Sequence, residues 1–167
     1  NREKRHFTLS VLHWSDYHNK LYSGSTCGLL HIWDILNRDE ISAVQGHTDV
    51  VTDLVDINGM EYFASSSLDK TVCLWDKYSM AKRQEYIGHT KGVLSVTYSE
   101  ELKLIISAGI DKEALVWNPF SNGLVFKLKA HNTSLIKAEV VPNTTTMVTA
   151  DIDGYFKLWY VIYILYY

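Results

Sequence analysis

The chain has 167 residues, 47% of them hydrophobic and 13% aromatic, enough for a packed core and too much for a disordered chain. Its 16 basic and 19 acidic residues give a net charge of −3 with no basic stripe, since the densest cationic run, Arg2, Lys4 and Arg5, is terminal; this argues against electrostatic binding of nucleic acid. Cys27 and Cys73 form no metal-ligand or redox spacing and suggest a reducing compartment, while the apolar run 158–167 falls short of the roughly 20 residues of a membrane helix.

Taken in chain order, the elements are short strands that recur. Residues 8–15, 20–25, 28–33 and 40–45 are expected to be four strands, repeated at +42 and +84. The inner strand aligns Leu9, Val51, Val93 and Leu135, then Leu12, Leu54, Val96 and Ala138. An apolar spacing of three on one strand breaks strict alternation and implies a β-bulge. The next strand aligns Leu21, Phe63, Ile105 and Met147, and ends on small residues, Gly24, Ser66, Ala108 and Ala150, where neighbouring units would approach closely. The third strand alternates apolar positions, Leu30 and Ile32, Val72 and Leu74, Ala114 and Val116, Phe156 and Leu158, so one face is buried. A fourth strand follows a turn, clearest in Leu124–Leu128. No segment reads as a helix.

The interval of 42 also orders the polar residues. Trp33, Trp75, Trp117 and Trp159 keep it, as do His47, His89 and His131, and Asp69, Asp111 and Asp153. Self-similarity at about 40–45 residues is the mark of propeller repeats. Gly46-His47, Ser65, Asp69 and Trp75-Asp76 resemble the WD-repeat signature; so do Gly88-His89, Ser107, Asp111 and Trp117-Asn118, and, more weakly, Ala130-His131, Thr149, Asp153 and Trp159-Tyr160. The first unit is degenerate, with Ser23 and Trp33-Asp34 in place, Cys27 in the aspartate column, Arg5 in the histidine column and His6 one residue out of register. Ser107-Ala108-Gly109 with Leu115–Phe120, and Thr149-Ala150-Asp151 with Phe156–Trp159, further resemble the cilium- and flagellum-associated WD-repeat proteins with EF-hands, although no calcium loop is present here. The resemblance implies an all-β fold, an open β-propeller segment of four WD-type blades over residues 1–167, at about 7–45, 50–87, 92–129 and 134–160, with 161–167 an atypical apolar tail. It also implies a piece of a larger propeller, which in isolation should associate or melt with poor cooperativity.

Three Ser/Thr-His-Asp sets invite a hydrolase triad. An active site is rarely copied at a fixed period, each copy tied to a tryptophan. The resemblance instead makes each set a structural tetrad: His47, Ser65, Asp69 and Trp75; His89, Ser107, Asp111 and Trp117; His131, Thr149, Asp153 and Trp159. Histidines 13, 18 and 31 lack the paired spacing of zinc ligands, and no metal, cofactor or small-molecule substrate is expected. Specificity should be written where the frame varies. Thr26, Leu68, Ile110 and Ile152 precede the aspartate column, and Asp49, Lys91 and Thr133 follow the histidines; together they form a candidate partner-binding rim. The expected function is a non-catalytic protein–protein interaction scaffold in the cytoplasm, or a cilium or flagellum, binding other proteins or peptides and neither nucleic acid nor membrane. An architectural ciliary subunit is the first alternative, an enzyme the second.

Overall fold

The computed structural model describes residues 8–16, 19–121, 123–129 and 131–161. Among them fifteen strands form four antiparallel sheets in chain order. The first sheet is β1 (Leu9–Ser15), β2 (Lys20–Ser25), β3 (Leu29–Asp34) and β4 (Asp39–Gln45). The second is β5 (Val51–Ile57), β6 (Tyr62–Ser67), β7 (Thr71–Asp76) and β8 (Lys82–Ile87). The third is β9 (Val93–Ser99), β10 (Leu104–Gly109), β11 (Ala114–Trp117) and β12 (Leu124–Leu128), and the fourth is β13 (Leu135–Val140), β14 (Thr146–Asp151) and β15 (Phe156–Tyr160). This is an open, partial β-propeller. No helix among the described residues is long and apolar enough to cross a membrane, and the tail beyond residue 161 lies outside the described residues.

The sheets stack through their first strands, β1 against β5, β5 against β9 and β9 against β13. Apolar residues fill the spaces between neighbours: Leu30, Leu54, Phe63 and Trp75 between the first two sheets, Leu74, Val96, Ile105 and Trp117 between the next two, and Val116, Leu135, Ala138 and Met147 between the last. Strands β10 and β11 are buried along their whole length because a sheet covers each face. In β15 only Trp159 is partly covered, and Phe156, Leu158 and Tyr160 are exposed. The small column has the expected cause: a Cβ placed on Gly24 would stand 2.5 Å from Val51 Cγ1 on the next sheet.

The bulge recurs in every inner strand, with Ser10, Thr52, Leu94 and Ile136 as the extra residue. Two of these bulge residues carry hydroxyls that cross to the next sheet, Ser10 Oγ donating to the Val51 carbonyl and Thr52 Oγ1 to the Val93 carbonyl at 2.8 Å. On the inner wall, Asp53 accepts bonds from Ser95 Oγ at 3.1 Å, Val96 N–H at 3.1 Å and Lys137 Nζ at 2.8 Å, joining three sheets through one carboxylate.

Candidate functional site

Each histidine sits in the loop entering an inner strand, and each aspartate in the turn between the second and third strands. Antiparallel pairing brings both to the same end of the sheet. His47 Nδ1 lies 2.9 Å from Asp69 Oδ2, its Nε2 2.6 Å from Ser65 Oγ, and Trp75 Nε1–H donates to that hydroxyl at 2.8 Å. In the third sheet His89 lies 2.8 Å from both Asp111 and Ser107, and Trp117 donates to Ser107 at 2.8 Å. With Nδ1–H donated to the carboxylate, Nε2 is left to accept the serine proton, and the hydroxyl oxygen to accept the indole N–H. The aspartate also takes the amide of the residue after the histidine, Thr48 or Thr90. Turn and loop are thereby clamped together.

The fourth sheet corrects the sequence expectation. His131 Nδ1 donates to Asp151 Oδ2 at 2.8 Å, not to Asp153, while Nε2 meets Thr149 Oγ1 at 2.7 Å and Trp159 donates to that hydroxyl at 2.8 Å. Asp151 is the last residue of β14, buried at 4% exposure, and its other oxygen accepts the amides of Asp153 and Tyr155. Asp153 is exposed in the turn. The equivalent residues of the second and third sheets, Ser67 and Gly109, are too short to reach the histidine, so there the turn aspartate does the work. An aspartate in a column otherwise held by small residues was the missed signal.

In the first sheet Trp33 donates to Ser23 at 2.8 Å, and the Cys27 thiol in the aspartate column lies 3.2 Å from the Ser25 hydroxyl. Arg5 and His6 lie outside the described residues, as does His18. His13 is on β1, 3.9 Å from Asp56, and His31 on β3 with Nδ1 2.6 Å from Glu40. Burial pushes the Cys73 thiol up to about 11, so it stays protonated and inert.

These triads are closed to substrate. Ser65, Ser107 and Thr149 are fully buried, and each hydroxyl already holds an indole N–H and an imidazole. An attacking serine needs an approach path that none of them has.

Burial holds the His47 imidazole below its ordinary range, outweighing Asp69, which favours the cation. Burial alone would raise Asp69, yet bonds from Thr71, the Thr48 amide and His47 bring it below the usual carboxylate range; Asp111 is lowered in the same way, and Asp151 chiefly by His131. A group with a folded pKa below its unfolded value binds protons more readily when unfolded, so stability rises with pH through that window. Urea midpoints should therefore be level between about pH 7 and 8, fall first below about 6.5 as His47 is forced to charge, and fall again below about 4 as the aspartates protonate. A midpoint unchanged from neutrality down to about pH 5 would contradict the buried neutral imidazole.

The rim residues are brought together by one repeated bond. The amides of Thr26, Leu68, Ile110 and Ile152 donate to the carbonyls of Thr8, Val50, Gly92 and Ser134, at 2.9, 3.0, 2.9 and 3.0 Å. Every turn is thus pinned beside the loop entering its own inner strand. Leu68 and Ile110 meet over Gly92, where an added Cβ would stand 2.8 Å from Leu68 Cδ2 and 3.4 Å from Ile110 Cδ1; both are half-buried. Ile152 is 66% exposed. Thr26, Asp49 and Lys91 are exposed, and Thr133 is half-buried. Each turn also holds one left-handed residue, Gly28, Lys70, Lys112 or Gly154, with φ of 83°, 76°, 69° and 86°. Lysine carries a steric cost there that glycine avoids, and the flanking bonds sustain it.

The model of the family described as WD domain, G-beta repeat matches residues 38–76 and 81–118. The chain carries WD repeats of this family. It is 33% identical over 145 residues to the Cilia- and flagella-associated protein 337 B of Tetrahymena thermophila, an alignment covering 86% of this chain and 12% of that protein. The chain thus spans about an eighth of that relative's length. Its WD repeats also superpose on the structure of U3-55K, with a TM-score of 0.88, 18% identity, and coverage of 96% of this chain and 51% of that one. They superpose on the computationally designed Ika4 protein with a TM-score of 0.83, 22% identity, and coverage of 96% and 95%. At such identities the likeness speaks for the fold alone.

Proposed function

We propose that this chain is a non-catalytic protein–protein interaction scaffold, and that its partner-facing surface is the rim of Thr26, Asp49, Leu68, Lys91, Ile110, Thr133 and Ile152. The observation that carries the reading is the set of four amide-to-carbonyl bonds. They hold four turns in equivalent positions while the side chains on them differ, so a constant frame displays a variable surface. Leu68 and Ile110 supply a contiguous apolar patch, and Asp49 and Lys91 supply opposite charges at its edge.

The test is a paired substitution, Leu68→Asp with Ile110→Asp, in affinity capture from extract of ciliated cells. Partners held by the wild-type chain should be lost, with the melting temperature within a few degrees of wild type. Retention of every wild-type partner by the folded double variant would overturn the rim.

A second reading, an architectural subunit of a ciliary assembly, is favoured by the likeness to the cilia- and flagella-associated protein of Tetrahymena. In that case the protein resides in the cilium or flagellum and resists extraction at moderate salt. An exchangeable scaffold would be released into the cytoplasmic fraction.

A further inference from the structure

Each sheet turns one face to its successor and the other to its predecessor, and the same columns meet at every junction. The forward columns are Leu30, Val72, Ala114 and Phe156, and Ile32, Leu74, Val116 and Leu158. In the first three sheets these side chains are at most 4% exposed, packed against the following sheet. In the fourth they open to solvent, Phe156 at 71% and Leu158 at 55%. The backward columns are Leu9, Val51, Val93 and Leu135, and Leu12, Leu54, Val96 and Ala138. Here the last three members of each are buried against the preceding sheet, while Leu9 is 43% and Leu12 58% exposed.

The chain thus carries, on its first and last sheets, the two halves of a junction that it makes three times internally. The halves match in detail. At the first junction Leu30 and Ile32 pack with Leu54, Phe63 and Trp75. On the open faces Phe156 and Leu158 stand in the places of the first two, and Leu12, Leu21 and Trp33 in those of the other three. The bulge residue, whose hydroxyl in the first two sheets reaches the next inner strand, is Ile136 in the fourth and is 45% exposed. Ala150 opposite Leu9 would repeat the pairing of Ala108 with Leu135, which share one buried cluster at the third junction.

We propose that a second copy of this chain covers both faces. The fourth sheet of each protomer packs on the first sheet of its partner, and two identical junctions close eight sheets into a ring about a two-fold axis. Such head-to-tail contacts give a ring where the rotation closes and a filament where it does not. The four sheets match 51% of the U3-55K chain, so their turn from sheet to sheet suits a fold about twice as long, and a second copy supplies the other half. Once one junction forms the second is intramolecular, which favours the closed pair over a growing chain. The inference rests on the propeller fold and not on the rim. Closure sets the turn of Ile152 beside the partner's turn of Thr26, joining two rims into one circle.

Sedimentation velocity of the 167-residue chain over a wide concentration range tests this. The wild type should reach twice the mass of one chain and grow no further. Leu12→Asp alters only the open face of the first sheet, and Phe156→Asp with Leu158→Asp only that of the fourth. All three side chains are exposed within one protomer, so each variant should fold, which circular dichroism checks. Serine at the same positions serves where the aspartate variants do not fold. Each variant should sediment as a monomer where the wild type is a pair, because every junction needs both faces. An equimolar mixture of the two variants should recover a weaker one-to-one pair, held by the single junction that keeps both faces. Ile87→Asp, exposed on β8 and at neither open face, should leave the mass unchanged. A wild type that stays monomeric, or that polymerises as concentration rises, would overturn the ring. A pair that survives either face variant, or a mixture no heavier than its parts at the highest concentration, would overturn the head-to-tail contact.

Discussion

His89→Ala is expected to lower the unfolding free energy by about 1–3 kcal/mol, read from urea denaturation of the purified chain. The imidazole is the middle of a chain that runs from Trp117 through Ser107 to Asp111. Removing it leaves the Ser107 proton without an acceptor and takes one donor from Asp111, in a place where water does not substitute. It also opens a void beside the Trp117 ring, whose centroid lies 6.4 Å from that of the imidazole. His89→Gln should recover part of the loss by giving Ser107 a carbonyl to donate to. A variant as stable as wild type would mean that the tetrad contributes nothing to the fold.

Asp151→Asn and Asp153→Asn, two residues apart in one turn, should behave oppositely. Asp151 receives the His131 N–H and two turn amides, and its carboxyl is held below the usual range mainly by that histidine. Its neutralisation should lower the melting temperature by several degrees and remove part of the stability lost on acidification. Asp153 is exposed, its amide serves the turn of Asp151, and its substitution should be silent. Equal effects of the two variants would restore the aspartate column to the position that strict periodicity gives it.

That pair also marks where the sequence stops being legible. Apolar columns at alternate positions dictated the strands, because a buried face repeats whenever the sheet repeats, and β5 to β12 fall within two residues of the windows expected from them. The tetrads of His47 and His89 followed from spacing because the turns that carry Asp69 and Asp111 have equal length. The turn after β14 has that length too, but its strand ends in an aspartate that reaches the histidine first, a matter of side-chain reach that spacing does not encode. Lys70 and Lys112 in left-handed backbone were equally hidden, since only Gly28 and Gly154 in the same column announce that conformation.

Ser107 is a buried acceptor of the Trp117 N–H within a structural unit rather than a nucleophile. The most direct test is a double-mutant cycle on unfolding free energy with Ser107→Ala, His89→Ala and the two combined. Because the groups act through one another, the combined variant should cost scarcely more than the worse single variant, leaving a coupling of about 1 kcal/mol or more. Losses that simply add, or no loss from either substitution, would show that Ser107 and His89 do not hold the blade together, and would contradict the account.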